Sequence, residues 1–356
     1  MAAPRPLITT VIPTYRRPRL LVRALRSVLR QTVQDFQVIV YDNASGDETG
    51  AVVAELAARD PRIRYHVQER NLGPDANFNF AIRRVNTEYF SMLSDDDLLM
   101  PYFYEQALAG FATYPGAVLI ASPLLMVDEA GQVLRVAGHD WRPGFYPQPS
   151  AMLRMAEHEH FTWTGMLFRR QVLEIGAIDA EAGMASDLDW LLRLTGRHPI
   201  AMAQRPGAVL SIHPASASST PQPSHYWPSW TRIIANVGRD EHVLESTRQA
   251  AQLGLDRRLA RALLVTGILA CSRAEYQQAH GAAAVLTARY RRSISPIVLR
   301  TVAMTCRMLP VARRLLAAAI DWWRWRRQGG HRLEQQALDH YPGLLEVPGE
   351  ISRKAA

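Results

Sequence analysis

The chain has 356 residues, a formal net charge of +8 and a pI near 9.8, and 48% of its residues are hydrophobic. This length suits about two domains, and the composition excludes a disordered or fibrous chain. Cys271 and Cys306 lack metal-ligand spacing, so a disulfide framework or a zinc site has little support, and a reducing cytosol fits best.

The positive charge indicates an anionic partner. Basic residues are densest after Arg257 and are mixed there with Trp and Leu, which favours an acidic membrane surface over nucleic acid. No apolar stretch reaches the ~20 residues of a membrane span. The apolar run at residues 7–12 is too short for an export signal. We therefore expect a cytosolic or peripheral protein.

The first hundred residues predict alternating strands and helices. Apolar runs indicate strands at residues 7–12, 36–41, 63–67 and 89–93. Helical periodicity covers residues 19–30, 45–60 and 76–85, with Ser45 and Asp47 as candidate caps of the second helix. A repeated strand–helix pattern predicts a mostly parallel sheet, whose ligands bind beyond the carboxyl ends of its strands.

Further along the chain, the pattern predicts a strand at 118–126, a loop region at 131–150, a helix at 186–196 and a strand at 208–212. The Ser- and Pro-rich stretch 214–228 is the expected boundary. We therefore predict an α/β domain over residues 1–222, with halves of about 7–100 and 101–222. A helical region over residues 223–356 follows it.

The strongest chemical signal is Asp95-Asp96-Asp97, which follows the predicted strand 89–93. Adjacent carboxylates repel one another unless a cation or hydrogen-bond donors compensate them. Mg²⁺ or Mn²⁺ needs only one or two protein carboxylates when a diphosphate supplies further oxygens. The alternative is a solvated turn that caps the helix expected near Pro101.

A second signal joins the ends of the first two strands. Tyr15 offers a stacking ring, Asp42 a carboxylate for a base N–H and Arg17 a cation, which are the groups that a nucleoside diphosphate requires. The alternative is a pair of turns in which Asp42, Asn43 and Ser45 cap a helix.

These motifs, in this order, resemble family 2 glycosyltransferases with the GT-A fold, a Rossmann-like α/β fold with a mostly parallel sheet. The matching elements are Ile-Pro-Thr-Tyr at 12–15, Asp-Asn-Ala-Ser at 42–45, Asn-Leu-Gly at 71–73, Asp-Asp-Asp at 95–97, Thr-Gly at 164–165, Phe-Arg-Arg at 168–170, Ala-Ser-Asp-Leu-Asp at 185–189 and Ile-His-Pro at 212–214. The resemblance covers roughly residues 7–220. Within the family, the stretch Asn-Leu-Gly-Pro-Asp-Ala-Asn at 71–77 is similar to transferases that build bacterial O-antigen or other surface polysaccharides.

The resemblance implies roles for individual residues. Asp95 would lie nearer the ribose and Asp96 on the metal, with Asp97 and His213 as further candidate metal ligands; a structural His213 is the alternative. The family often begins this motif with Asp, where this chain has Ser94, so the division of roles among the three aspartates stays open. The implied contacts to the nucleotide sugar are Pro13, Thr14, Tyr15, Arg17, Asp42, Asn71, Asp95 and Asp96.

On the acceptor side, the resemblance implies that Asp187 is the general base, although Ser186 replaces the glutamate that usually precedes it. Asp189 is the second candidate. Trp163, with Thr164 and Gly165, would form the acceptor platform. The alternatives are a first-turn carboxylate favoured by the helix dipole for Asp187 and a core position for Trp163.

The implied function is the inverting, metal-dependent transfer of one sugar from a nucleotide sugar, with UDP or dTDP favoured, to an acceptor hydroxyl. The expected acceptor is a lipid-linked glycan of a surface polysaccharide, on the inner face of the cytoplasmic membrane. A processive synthase and a sugar nucleotidyltransferase are disfavoured, because the Gln-x-x-Arg-Trp motif and the early Gly-rich loop are missing. The remaining alternative is a non-catalytic scaffold that binds nucleotide sugars.

The stretch 297–327 predicts an amphipathic pair of membrane-surface helices hinged at Pro310. Arg300, Arg307 and Arg314 recur at seven-residue spacing beside apolar side chains, and Trp322, Trp323 and Trp325 alternate with arginines. The alternative is a helical subdomain that packs its Leu and Trp residues on the first domain.

Overall fold

The computed structural model of the protein describes residues 6–213, 223–290, 293–328, 332–341 and 344–345. Side chains at 223–226, 321, 323–328, 332–334 and 337 lie outside this description, including those of Trp323 and Trp325.

The strands and helices predicted for the first hundred residues are present. The strands are β1 (Ile8–Thr14), β2 (Phe36–Asp42), β3 (Ile63–Val67) and β4 (Tyr89–Met92), and the helices are α1 (Pro18–Leu29), α2 (Thr49–Arg59) and α3 (Pro74–Ile82). The four strands pair in parallel in the order β3-β2-β1-β4. The apolar side chains of β1, such as Ile8, Val11 and Ile12, are fully buried, as expected for a strand covered on both faces.

The second half of the domain extends this sheet and adds a smaller one. Its helices are α4 (Phe103–Thr113), α5 (Ser150–Glu157) and α6 (Ser186–Arg197), with 3₁₀ segments at Arg170–Ile175 and Ala180–Ala185. Its strands are β5 (Leu98–Leu99), β6 (Leu119–Ala121), β7 (Leu124–Val127), β8 (Val133–Ala137), β9 (Gly144–Tyr146), β10 (Met166–Arg169), β11 (Ile200–Met202) and β12 (Ala208–Ser211). The large sheet has the order β3-β2-β1-β4-β10-β6-β11-β9, and the small sheet β5-β12-β7-β8.

Two sequence predictions in this half are wrong. The single strand expected at 118–126 is interrupted at Ser122 and Pro123, so that β6 joins the large sheet and β7 the small one. Proline has no N–H to donate to a ladder, which suits the point where the chain changes sheets. The loop expected at 131–150 contains β8 and β9, which are short strands at sheet edges.

The rest of the described chain is helical, as predicted. The helices are α7 (Pro223–Arg239), α8 (Glu245–Ser272), α9 (Tyr276–Arg289), α10 (Ser295–Met308), α11 (Pro310–Gln328) and α12 (Arg332–Asp339). Part of the predicted boundary, residues 214–222, lies outside the described residues, and α7 already begins at Pro223 and contains Pro228. No helix in the described ranges combines the length and the apolarity needed to cross a membrane.

The C-terminal helices pack on the α/β domain. Trp230 and Ile233 of α7 belong to the same buried cluster as Trp190 of α6 and Phe168 of β10. At the other end, the Gln335 side chain of α12 accepts a hydrogen bond from the Val133 backbone N–H at 2.8 Å. The two regions therefore share core and sheet-edge contacts.

Candidate active site

A cavity of about 450 Å³ opens at the carboxyl ends of β1, β2 and β4. Seven residues expected at the nucleotide sugar line it, namely Pro13, Thr14, Tyr15, Arg17, Asn71, Asp95 and Asp96. Five others also line it, namely Asn43, Pro74, Asn77, Phe78 and Ser94. The sheet thus gathers side chains that are up to 83 residues apart (13 to 96) at the edge where parallel sheets bind ligands.

A network of charged groups forms one wall of this cavity. Arg17 donates from one guanidinium nitrogen to Asp95 at 3.2 Å and to Asp96 at 2.9 Å. Thr14 donates to the second oxygen of Asp95 at 2.7 Å. His213, which follows β12, places Nε2 3.2 Å from Asp96 Oδ2. Burial, and then the charge of Asp96, raise the pKa of Asp95 to about 6, while Thr14 and Arg17 oppose this rise.

Asp97 lies beneath this wall and is not among the lining residues of the cavity. Its two oxygens accept hydrogen bonds from the Thr164 hydroxyl at 2.6 Å and from the Ser211 backbone N–H at 3.0 Å. Burial, with the charges of Asp96 and Asp95, raises its pKa to about 8. The Asp97 carboxyl group therefore links β12 and the segment just before β10 to the loop that carries the three aspartates.

Asp42 is also buried and does not line the cavity. It accepts hydrogen bonds from the Ser45 backbone N–H at 2.9 Å and from the Tyr65 hydroxyl at 2.5 Å. The neighbouring Asn43, which the sequence treated only as a cap candidate, reaches the cavity and donates to Asn71 at 2.9 Å. The amides of Asn43 and Asn71 therefore present polar groups where Asp42 was expected.

The three residues expected to hold the acceptor differ in their surroundings. Thr164 is buried on Asp97. Gly165 has a φ of +79°, and a Cβ there would lie 2.6 Å from a methyl group of Leu124, so backbone geometry and packing both require glycine. Trp163 is half-buried between Phe78, which lines the cavity, and Trp190 of the core.

Asp187 lies in the first turn of α6, where the helix dipole favours a carboxylate. Its Oδ1 accepts from the Leu188 backbone N–H at 2.7 Å, and its Oδ2 lies 3.7 Å from Nε2 of His160. The preceding Ser186 donates to Asp75 of α3 at 2.7 Å. Asp75 stands next to Pro74, so α3 connects the cavity wall to the start of α6.

Asp189, the second candidate base, faces away from this point. It is 1% exposed and accepts from Arg193 at 3.1 Å and from Asn236 of α7 at 2.8 Å. Burial raises its pKa, which Asn236 and Arg193 partly offset. Two residues along a helix point in different directions, and here the second points into the contact with α7.

Asp75 and His160 are neighbours of Asp187 that sequence reasoning missed. Each comes from an element distant in sequence, 112 and 27 residues before Asp187. Asp75 lies in the stretch 71–77 that resembles O-antigen transferases, but the motif assigned it no role. No sequence signal singled out His160.

The raised pKa of Asp75 predicts how the stability of the protein depends on pH. Burial comes first among its causes, the charges of Asp187 and Asp179 add to it, and the Ser186 hydrogen bond opposes it. A folded state that holds this proton more tightly than the unfolded state loses stability as pH rises through the folded pKa. Asp75→Asn keeps an acceptor for the Ser186 hydroxyl but cannot ionise. Because ionisation of the buried carboxyl group costs stability in wild type, the variant should have a higher melting temperature at neutral pH.

The comparison is a pair of thermal melts of Asp75→Asn and wild type across a pH series. The two proteins should converge at acid pH, where Asp75 is protonated. A variant that melts below wild type at neutral pH would show that the ionised carboxylate is stabilising instead.

Residues 9–176 match the family model described as glycosyl transferase family 2. The chain therefore contains a glycosyl transferase family 2 domain. The match ends before α6, so it includes the cavity wall from Pro13 to Asp97 and leaves out Asp187 and His213.

Curated relatives agree with this match. A GalNAc(5)-diNAcBac-PP-undecaprenol β-1,3-glucosyltransferase of Campylobacter jejuni is 33% identical over 120 residues, or 32% of this chain and 39% of that protein. An uncharacterized glycosyltransferase of Methanocaldococcus jannaschii is 27% identical over 53% of this chain and 64% of its own length. The chondroitin synthase of Escherichia coli is 29% identical over 38% of this chain and 20% of its length. The matches thus span less than two thirds of each of these relatives.

Solved structures share the fold. TarS 1-349 of S. aureus in complex with UDP-GlcNAc aligns over 85% of this chain and 91% of its own, with a TM-score of 0.59 and 13% identity. A mannosyltransferase from Pyrobaculum calidifontis in complex with GDP-Man and Mn²⁺ aligns over 90% and 88%, with a TM-score of 0.52 and 18% identity. The GT-A fold predicted from the motifs is therefore confirmed.

A divalent ion fits the cavity wall only in part. Among the described residues, no group of three or more His, Cys, Asp or Glu side chains is arranged to hold a metal ion. Asp96 and His213 do bring a carboxylate oxygen and an imidazole nitrogen within 3.2 Å of each other, and both donor types suit Mn²⁺. A metal held here would need oxygens from the ligand and water, which is the usual arrangement where phosphate is bound.

Proposed function

We propose that the protein is an inverting, metal-dependent glycosyltransferase that moves one sugar from a nucleotide sugar to an acceptor hydroxyl. The observation that carries this proposal is the cavity at the sheet edge, where Arg17, Asp95 and Asp96 meet His213 beside polar and aromatic side chains. A nucleoside diphosphate needs this combination of cation, carboxylate and stacking surface.

For the donor, we assign the base and ribose to the side of the cavity formed by Tyr15, Asn43 and Asn71. Tyr15 is 38% exposed, so its ring is available for stacking. The amides of Asn43 and Asn71 both donate and accept hydrogen bonds, which suits a pyrimidine edge. UDP or dTDP is the proposed nucleotide; of the structural neighbours, TarS binds UDP-GlcNAc, whereas the Pyrobaculum calidifontis mannosyltransferase binds GDP-Man.

For the cofactor, we propose Mn²⁺ or Mg²⁺ at Asp96, with His213 as a neighbouring ligand. When bound, the ion would neutralise the charge that develops on the departing diphosphate. Asp97 is a poorer ligand, since both of its oxygens already accept hydrogen bonds from Thr164 and Ser211. Arg17 holds both Asp95 and Asp96 at the cavity wall and supplies a fixed positive charge beside the phosphates.

For the chemical step, Asp187 is the proposed general base. It would take the proton of the acceptor hydroxyl as that oxygen attacks the anomeric carbon and the bond to the nucleoside diphosphate breaks. A single displacement of this kind inverts the anomeric configuration. Asp189 does not suit this role, because Arg193 and Asn236 occupy its oxygens.

A lipid-linked glycan is the proposed acceptor, with the protein peripheral on the inner face of the cytoplasmic membrane. The Campylobacter jejuni relative, by its name, acts on an undecaprenol-linked glycan. Trp163 lies beside cavity residue Phe78 and offers part of its ring face for a sugar.

The helices α10 and α11 provide the proposed membrane contact. The two helices are separated by Leu309, directly before Pro310, at the position where the hinge was predicted. One face of α10 packs Leu299, Ala303 and Cys306 into the core. The opposite face carries apolar side chains that are 60–71% exposed, namely Ile297, Met304 and Met308 on α10 and Val311 and Leu315 on α11. These positions recur at spacings of three, four and seven residues, and Trp322 of α11, which is 55% exposed, continues the series.

One face of this segment is therefore part of the core, and the other is exposed. Arg300, Arg307 and Arg314 are exposed beside the apolar face. Each basic residue near an anionic leaflet contributes about 1 kcal/mol. An exposed apolar stripe flanked by cations has the chemistry of an anionic lipid surface, which is the occupant that we propose for it.

Removing apolar side chains from this stripe should weaken membrane binding without unfolding the protein. Met308→Gln with Leu315→Gln should lower the affinity for vesicles containing phosphatidylglycerol roughly tenfold or more, because burying one such side chain is worth ~1.5–3 kcal/mol. The matched control is Leu253→Gln with Val265→Gln, two similarly exposed positions on α8. Cosedimentation with vesicles at low and physiological salt measures the effect.

Equal losses of vesicle affinity in both double variants would contradict a specific membrane contact of the apolar stripe on α10 and α11. A different outcome is that wild type does not bind the vesicles but forms dimers by light scattering, and that the stripe variant does not form them. This result would assign the surface to a second copy of the chain.

Donor binding tests the functional proposal most simply. Titration calorimetry of the full chain with UDP, dTDP and GDP should give binding that is strengthened by Mn²⁺ for at least one nucleotide. Absence of binding for all three with and without metal would contradict the proposal, and binding without any turnover would favour a scaffold.

A further inference from the structure

The helical region reaches the proposed general base through a chain of two side chains. Arg258 lies on α8, and its NH2 nitrogen is 2.9 Å from Nδ1 of His160, which lies in the loop between α5 and β10. On the other side of the ring, Nε2 of His160 lies 3.7 Å from Oδ2 of Asp187. All three side chains are mostly or partly buried.

This arrangement fixes the proton on the imidazole ring. A guanidinium group only donates hydrogen bonds, so Nδ1 of His160 must be the acceptor, and the neutral ring carries its proton on Nε2. That N–H points toward the Asp187 carboxylate. With Nδ1 accepting and Nε2 protonated, neutral His160 has no lone pair left with which to act as a base itself.

Arg258 is in turn held in place by contacts to α5 of the α/β domain and to α7. Its NH1 donates to the Met155 backbone carbonyl in the last turn of α5 at 2.7 Å, and its guanidinium carbon lies 5.2 Å from the centre of the Trp230 ring. These contacts limit the guanidinium to one position, so the ring that accepts from it is oriented as well.

We infer that His160 and Arg258 are positioning residues that orient the carboxylate of Asp187 for proton abstraction. This inference rests on the proposed function of Asp187. The separation of 3.7 Å exceeds a hydrogen bond, and such contacts often shorten when the substrate binds. Asp75 approaches Asp187 from α3 with a like charge, so a donor on the opposite side opposes displacement of the carboxylate.

Two substitutions of His160 separate this role from a structural one. The amide nitrogen of His160→Gln can occupy the place of Nε2 and donate to Asp187, whereas His160→Asn is too short and can replace only the Nδ1 side of the ring. His160→Asn should lower kcat about 10- to 100-fold with little change in the KM for the nucleotide sugar, because misplacement of a reacting group by about 1 Å costs up to ~10²-fold. His160→Gln should recover most of this loss.

The ring itself gives a readout that does not depend on activity. The ¹⁵N chemical shifts of His160 in the full chain should show the Nε2–H tautomer in wild type and in Arg258→Lys, which keeps a donor. In Arg258→Met, the ring should lose this preference. Thermal melts of each variant show whether it is folded before its kinetics are compared.

Several outcomes would overturn the inference. If His160→Gln were as inactive as Asp187→Asn, the imidazole itself would be the base. If folded His160→Asn kept wild-type kcat, or if the Nδ1–H tautomer were found, no positioning role would remain. Failure of the proposed function is distinguishable, because then wild type itself would neither transfer nor hydrolyse any nucleotide sugar.

Discussion

Asp96→Ala should remove metal-dependent donor binding and lower turnover by two or more orders of magnitude. Asp96 lines the cavity beside Asp95, and of the two it is the one that lies within 3.2 Å of both Arg17 and His213. Without it, the diphosphate meets no fixed metal ion, and loss of one principal charge stabiliser typically costs ~10²–10³-fold in kcat. Nucleotide release at a series of Mn²⁺ concentrations measures the change.

Two further variants act as controls for Asp96→Ala. Asp140→Ala removes an exposed carboxylate whose one ion pair within the described part of the chain is with His139, and it should leave turnover unchanged. Asp97→Asn replaces the neighbouring buried carboxyl group, whose raised pKa already favours its neutral form, with a neutral amide, and it should alter stability more than metal dependence. Wild-type metal dependence in Asp96→Ala together with its loss in Asp97→Asn would transfer the metal site to Asp97.

Asp187→Asn should abolish most transfer while leaving nucleotide affinity nearly unchanged. The amide has the size of the carboxylate and can still accept the hydrogen bond from the Leu188 N–H, but it cannot take a proton. Loss of a general base typically costs ~10²–10⁴-fold. Donor affinity by calorimetry and turnover by nucleotide release should therefore separate in this variant.

The matched control for Asp187→Asn is Asp189→Asn on the same helix. Asp189 bridges Arg193 and Asn236, so its substitution should lower the melting temperature and affect turnover less. Parallel losses of donor affinity and turnover in Asp187→Asn would indicate that Asp187 stabilises the first turn of α6 and is not the base. Normal turnover in Asp187→Asn with an inactive but folded Asp189→Asn would make Asp189 the base.

The sequence predicted the donor half well because its elements are defined by local pattern. Apolar runs predicted β1 to β4, and the fixed geometry of parallel strands brought Tyr15, Asn71 and Asp96 to one edge. The strands β8 and β9 were missed because three- to five-residue edge strands carry little periodic signal beside Gly and Pro.

The surroundings of individual site residues could not be predicted from pattern. Nothing local distinguishes Asp96, which lines the cavity, from Asp97, which is buried on Thr164 and Ser211. The neighbours of Asp187 are set by tertiary packing, since Asp75 comes from α3 and His160 is oriented by Arg258 of α8. The burial of residues 297–327 could not be predicted either, because an amphipathic pattern does not tell which of two apolar faces is buried.

The decisive experiment is to measure the release of nucleotide from a panel of nucleotide sugars by the purified full chain with Mn²⁺ or Mg²⁺, and to follow the sugar product by proton NMR. We expect metal-dependent release from at least one UDP- or dTDP-sugar and an initial sugar product of inverted anomeric configuration, and we expect both Asp96→Ala and Asp187→Asn to be strongly impaired. Retained configuration, or turnover that is independent of metal and unaffected by both substitutions, would contradict the proposed function.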